Sequence, residues 1–317
     1  MNNTKSLPKY RYQHGGRILR IVVLVFVILL VVGYLAVGAI AADKLTYAER
    51  MFTTDTPQAH GMSYEDVTLS ARLDGLKIAA WYIPADVSQP AEKSSAIVMV
   101  HGWNASRTNA FNQHFIDLAK ALHQAGFSIM MIDMRGHGQS ANSHFTFGRL
   151  ERRDVLAAVD YLLERGHPSG KIGLIGTSMG AASVIGAAVE DQSVGAVATD
   201  SLFAEIYPVV QGLWVKQSGL PMVFLYPTRW MYFVENGWDL ASARPVEEIS
   251  KIAPRPLFLI HCEQDTYIPH GQFQQLEQAA PWAQTWSVKE CRHAEIYEVV
   301  PDEYNQKMVS FFETGLE

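Results

Sequence analysis

The chain has 317 residues, 48% of them hydrophobic, and a formal net charge of −6 at neutral pH. Such a length holds one large α/β domain or two small ones. Two cysteines, Cys262 and Cys291, are too few for a disulfide-framework protein, and no Cys/His spacing resembles a zinc site.

The first 20 residues carry Lys5, Lys9, Arg11, Arg17 and Arg20 and no acid. The next 22, Ile21 to Ala42, carry no charge at all. At the helical rise that run spans ~30 Å, the thickness of a bilayer core. It reads as a transmembrane signal anchor over 21–42, behind a cytoplasmic basic tail over 1–20, with everything later on the outer side. Ala39-Ile40-Ala41 also fits a small-x-small cleavage site, so a cleaved signal and a secreted product form the alternative. Beyond Ala42 the chain has 21 Lys and Arg (26 less the five of the tail) against 32 Asp and Glu, a net of −11. That balance argues against nucleic acid as a partner.

Residues 43–63 read as a connector. Strand character follows over Tyr64 to Ser70 and Lys77 to Ile83, joined by a turn near Asp74-Gly75. Ala96 to Val100 and Phe127 to Ile132 are continuous apolar runs, expected of strands buried on both faces. Helices are expected over Ala110 to Gln124 and Leu150 to Arg165. Lys171 to Ile175 and Val194 to Thr199 continue the strands, with a buried helix between them. Later come a strand at Leu257 to Ile260, a helix at Gly271 to Ala279, a strand at Thr285 to Val288 and a closing helix over Glu295 to Phe312. Strand-helix alternation with buried strands predicts an α/β fold with a doubly wound, mostly parallel sheet. Residues 201–251 interrupt the alternation without strand character and are rich in aromatics, among them Trp214, Phe224, Tyr226, Trp230, Tyr232, Phe233 and Trp238. They read as a helical cap over the active-site side, with an extra packing helix of the core as the alternative.

Between the strand ending at Ile175 and its helix lies Gly176-Thr-Ser-Met-Gly180. A G-x-S-x-G at a strand-to-helix turn is a nucleophile elbow, in which only glycine clears the crowding around the exposed serine. A serine hydroxyl needs an oriented base, and in such folds the order is serine, acid, histidine. Asp265 follows the strand at Leu257 and His293 follows the strand near Val288, at the strand ends where sites in open α/β sheets gather. Asp200 is the rival acid, and Asp133 reads as a loop-shaping residue. The oxyanion donors expected are the amides of Met179, which follows the nucleophile, and Trp103 in His101-Gly-Trp-Asn104.

Together His101-Gly-Trp103, Asp133-Met-Arg-Gly-His-Gly-Gln-Ser140, Gly176-Thr-Ser-Met-Gly180 and the Asp265 and His293 loops resemble the α/β-hydrolases of the esterase, lipase and serine-aminopeptidase-like branch, from about Tyr64 to the C-terminus. The resemblance implies a carboxylesterase-like serine hydrolase acting on a small-molecule ester or acyl substrate with no cofactor. The aromatics of 201–251 suggest an apolar acyl or aryl group on that substrate, and aromatics facing the bilayer would give the same composition. A peptidase, thioesterase or acyltransferase uses the same residues, and a catalytically silent surface binding module is the reading from another class. Cys262 stands where such loops often have glycine. Its strand is expected beside that of Cys291, which leaves either a disulfide pinning the acid loop to the base loop or two buried thiols. Substrate and oligomeric state are not legible.

Overall fold

The computed structural model describes residues 12–52, 55–85 and 95–317. Residues 1–11 of the basic tail and two positions of the connector lie outside the described residues. A single long helix, α1 (Tyr12–Thr46), opens the chain. From Ile21 to Ala42 it is apolar around its whole circumference, and its side chains from Ile18 to Val32 are exposed. The helix continues four residues past the uncharged run, because its last turns are packed. Ala41, Ala42 and Thr46 are buried, the Thr46 carbonyl accepts the Phe145 N–H (2.9 Å), and Thr46 Oγ1 meets His144 Nδ1 at 2.9 Å.

The strands and helices then follow as β1 (Glu65–Ser70), β2 (Lys77–Ile83), β3 (Ala96–Val100), α2 (Phe115–Gln124), β4 (Ser128–Ile132), α3 (Arg152–Glu164), β5 (Ile172–Thr177), α4 (Met179–Glu190) and β6 (Val194–Asp200). A helical insertion comes next: α5 (Ile206–Ser218), α6 (Leu225–Asn236) and the short α7 (Pro245–Glu248). The chain closes with β7 (Leu257–Cys262), α8 (His270–Ala279), β8 (Gln284–Val288), α9 (Ile296–Val299) and α10 (Pro301–Gly315).

The eight strands form one sheet in the order β1-β2-β4-β3-β5-β6-β7-β8. β1 and β2 are antiparallel at one edge and β3 to β8 run parallel, as the continuous apolar runs predict. Every residue of β3, β4 and β5 is buried, because helices cover both faces. Phe115, Leu118, Tyr304 and Phe312 pack on one face, and Val155, Val184 and Leu276 on the other. Strand order reverses beside β3, between β4 and β5, so the carboxyl ends of β3 and β5 flank a crevice of the kind that binds ligands in open sheets. Register holds these ends level: Val100 pairs Gly176, Thr177 pairs Asp200, and Cys262 pairs Val288.

Two further elements differ from expectation by more than two residues. The helix expected from Ala110 begins at Phe115, since Phe111, Asn112 and Gln113 all take positive φ and form a turn (Phe111 at 52°). The closing helix expected over Glu295 to Phe312 is two pieces, broken at Val300, whose non-helical backbone (φ −139°, ψ 60°) precedes Pro301.

Candidate active site

Ser178 sits alone between β5 and α4 with φ 53° and ψ −115°, a strained conformation for a residue with a side chain. Strain of this kind costs roughly 1–3 kcal/mol and persists only where the surroundings over-determine it. Here the flanking glycines permit it through close approach. A Cβ on Gly176 would lie 2.4 Å from the Gly180 carbonyl oxygen, and one on Gly180 would lie 2.3 Å from that of His101. The Ser178 N–H donates to the Asp200 carbonyl (2.8 Å), continuing the sheet ladder past the end of β5.

The structure brings Ser178, His293 and Asp265 together. His293 Nδ1 lies 2.6 Å from Asp265 Oδ2, and its Nε2 lies 3.0 Å from Ser178 Oγ. A carboxylate can only accept, so Nδ1 carries the proton and Nε2 is left to accept from the serine hydroxyl. The other Asp265 oxygen accepts the N–H groups of Tyr267 (2.7 Å) and Ile268 (2.8 Å), which fixes the carboxylate in its loop. A hydroxyl donating to an imidazole that is itself oriented by a buried carboxylate is arranged for proton removal as the oxygen attacks.

Asp200 has other partners. Its carboxylate accepts from Ser201 Oγ (2.8 Å) and from the Tyr304 hydroxyl (3.0 Å), and Ser201 Oγ in turn accepts the Ala294 N–H (3.1 Å). Burial pushes the Asp200 carboxyl up to about 6. It therefore props the loop carrying His293 from behind, a link that pattern reading missed because Ser201 and Tyr304 carry no motif. Asp133 accepts the N–H groups of Arg107 (2.8 Å) and Gln139 (2.9 Å) and so shapes its own loop.

Cys262 and Cys291 are disulfide-bonded, with Cα atoms 5.7 Å apart. The bond ties the end of β7, three residues before Asp265, to the loop two residues before His293. Of the two alternatives open in the sequence, the structure has the disulfide.

Met179 is the first residue of α4, where a helix N–H has no intrahelical acceptor. Across from it, Gly102 approaches so closely that a Cβ there would lie 3.3 Å from Ser178 Cβ. That contact sets Trp103 beside the serine, and Gly102, Trp103, Ser178, Met179 and His293 line one cleft. The loop is held by His101, whose Nε2 accepts the Met134 N–H (3.0 Å) while Nδ1 donates to the Gly102 carbonyl (2.7 Å). Burial lowers the His101 pKa to about 4, so it stays neutral and keeps that tautomer.

The cleft measures about 1250 Å³, larger than the roughly 300–1,000 Å³ of most small-ligand pockets. Its walls are mostly apolar. Val210, Leu213 and Trp214 of α5 form one side, and Val37, Ile40 and Ala41 of α1 another. The end of the apolar helix as a wall of the cleft is a feature that no local motif foretells.

The family model described as "Serine aminopeptidase, S33" matches residues 91–223. The uncharacterized protein YfhR of Escherichia coli K12 is 28% identical over 211 residues, 65% of each chain. The chain thus spans a little under two thirds of that relative's length. YqkD of Bacillus subtilis, also uncharacterized, is 25% identical over 260 residues, 78% of this chain and 82% of the relative. Among solved structures, the esterase Pf2001 of Pyrococcus furiosus superposes with a TM-score of 0.67 at 22% identity, covering 86% of this chain and all (100%) of that one. Est1E of Butyrivibrio proteoclasticus, solved with ferulic acid, gives 0.59 at 18% identity, over 78% of this chain and 99% of its own. Identities this low show the fold alone. Sheet order, elbow and the partial family match agree, and the chain has the α/β-hydrolase fold.

Proposed function

We propose that the protein is a membrane-anchored serine hydrolase that cleaves carboxylic esters through an acyl-enzyme on Ser178. The observation that carries this reading is His293 bridging Ser178 Oγ and Asp265 Oδ2 at 3.0 and 2.6 Å. Ser178 attacks the ester carbonyl while His293 takes its proton, and the imidazolium gains from the Asp265 carboxylate. The amides of Met179 and Trp103 receive the oxyanion, each worth about 3–4 kcal/mol by comparison with known holes. His293 then protonates the departing alcohol, and a water that it deprotonates releases the acid. The insertion over 201–251 is the cap, residues 43–63 the connector, and 21–42 the transmembrane anchor. The basic tail supports a cytoplasmic N-terminus and a catalytic domain over 64–317 on the outer side, and the disulfide fits an oxidising compartment.

The aminopeptidase description of the family model supports a second reading, hydrolysis of peptides. Asp43 and Glu49 at the rim of the cleft are the groups that would meet a substrate ammonium. The apolar walls favour the ester. A fluorophosphonate probe should label the full chain and leave Ser178→Ala unlabelled. A well-folded wild type that resists the probe would remove the hydrolase reading. Release of p-nitroaniline from aminoacyl anilides with no hydrolysis of p-nitrophenyl esters would exchange the ester for the peptide.

A further inference from the structure

The anchor helix and the insertion are packed together in a way that fixes the height of the insertion relative to the apolar span. Gly38 lies directly against Pro227 of α6, so close that a Cβ there would come within 2.7 Å of the proline carbonyl carbon. The Tyr34 hydroxyl donates to the Val223 carbonyl (2.6 Å), and its ring meets that of Phe224 with centroids 5.5 Å apart. Tyr34 precedes Ala42, the end of the uncharged run, by eight residues, which is ~12 Å along a helix axis. The start of α6 therefore sits about that far below the level at which charge reappears at Asp43 and Lys44.

The surface that α6 presents as it rises from that depth toward the level of Asp43 is apolar. Tyr226, Trp230, Phe233 and Val234 fall on one helical face and are 71%, 54%, 51% and 56% exposed, and Met222 and Val223 just before the helix are exposed beside them. A water-facing surface rarely keeps so contiguous an apolar patch, whereas Tyr and Trp are the residues enriched where protein meets the membrane interface. On the inner side of the same assembly, Val37, Ile40 and Ala41 of α1 and Leu213 and Trp214 of α5 line the cleft that reaches Ser178. The connector is tied to the oxyanion loop, with the Glu49 N–H donating to Asn104 Oδ1 (3.0 Å), so helix and site keep a fixed relation.

We propose that the cleft is a lateral portal from the outer leaflet, that the exposed face of α6 lies in the bilayer, and that the substrate is a membrane-resident acyl ester whose chain enters between α1 and α5. The proposal rests on the serine-hydrolase reading and specifies its substrate class. The ester carbonyl reaches Ser178 near the level of Asp43 and Lys44, where hydrocarbon gives way to polar headgroups. The serine oxygen bonds to the carbonyl carbon, the bond to the alcohol oxygen breaks, and that alcohol leaves with the proton from His293. Water then cleaves the acyl-enzyme, so one ester and one water give one fatty acid and one alcohol, and the acid returns to the leaflet through the same opening.

The test uses the full chain in phosphatidylcholine vesicles with two substrates, p-nitrophenyl butyrate in the water phase and p-nitrophenyl oleate in the bilayer. Wild type should turn over the vesicle-borne oleate with the higher kcat/KM. The double variant Trp230→Gln/Phe233→Gln should lose about tenfold on oleate while its butyrate hydrolysis stays within about twofold. Tyr226→Ser, on the same face, serves as the second variant, and butyrate turnover reports that each variant is folded. Butyrate hydrolysis with oleate untouched, or oleate hydrolysis indifferent to all three substitutions, overturns the portal and leaves the hydrolase standing. A wild type that neither fluorophosphonate nor ester engages at Ser178 removes both.

Discussion

The floor and the roof of the cleft are held in place by different forces. The floor is the carboxyl edge of the sheet, where strand register, two crowded glycines, a disulfide and a chain of hydrogen bonds leave each reactive group a single position. The roof is the insertion and the end of α1, joined by apolar packing and the Tyr34 hydroxyl bond. Hydrogen bonds and backbone sterics are directional and tolerate little displacement, whereas apolar contact is non-directional and can exchange one side chain for another. On the proposed reading, chemistry therefore belongs to the floor and choice of substrate to the roof.

The sharpest way to break that division is Asp265→Asn, which keeps the shape of the floor but removes the charge and the correct imidazole tautomer. Turnover of p-nitrophenyl butyrate should fall by about 10⁴ with the fold intact by circular dichroism. An Asp200→Asn variant that falls as far, with Asp265→Asn nearly unaffected, would move the acid to β6.

Next in size is the covalent clamp. Replacing Cys262 and Cys291 together by serine opens a loop closed over 29 residues, which in the chain-entropy view costs about 3–4 kcal/mol of stability. Urea denaturation followed by tryptophan fluorescence reads that loss. An unchanged midpoint would mean that the hydrogen bonds hold the two loops unaided.

Asp200→Asn should lower kcat by about tenfold or less, since it disturbs only the prop behind Ala294. Its stability has a sign that can be worked out. The folded-state pKa is raised to about 6, so between about pH 4, where the unfolded chain ionises, and about 6 the folded protein keeps a proton that the unfolded chain gives up. Wild type loses stability across that window, and the loss is complete above it. The asparagine variant should thus compare better with wild type above pH about 6 than below pH about 4. Thermal unfolding at several pH values tests this, and the opposite trend would mean that the Ser201 and Tyr304 bonds outweigh desolvation.

The smallest effect expected belongs to the roof. Trp214→Ala should leave the fluorophosphonate labelling rate of Ser178 within a few-fold and shift the preference among p-nitrophenyl esters of different chain length, because an exchangeable wall contributes a hydrophobic increment of about 1–3 kcal/mol. Loss of labelling would place Trp214 with the floor.

The same division explains what the sequence disclosed. The sheet and the elbow were legible because they depend on local rules: buried strands read as apolar runs, and a glycine on each side of Ser178 answers a steric demand that acts over five residues. The order of Asp265 and His293 followed from topology. Asp200 was ambiguous because its partners, Ser201 and Tyr304, differ in distance along the chain; Tyr304 lies 104 residues away. The roof was the least legible. A count of aromatics over 201–251 does not say that Trp214 and Tyr232 turn inward while Tyr226, Trp230 and Phe233 turn outward. The turn at Phe111 to Gln113 was missed because its three positive-φ residues include no glycine and no proline. The break at Pro301, by contrast, carried a signal in the proline itself.

The wall supplied by Val37, Ile40 and Ala41 has a practical side. The customary way to make such a protein tractable is to delete the hydrophobic leader and begin expression near Asp43. That cut would take a side off the cleft, leaving Leu213 and Trp214 facing solvent. A fragment of this kind can keep its nucleophile and still give a misleading substrate profile, biased toward short soluble esters. Detergent- or nanodisc-held full-length material is the preparation on which its selectivity has meaning.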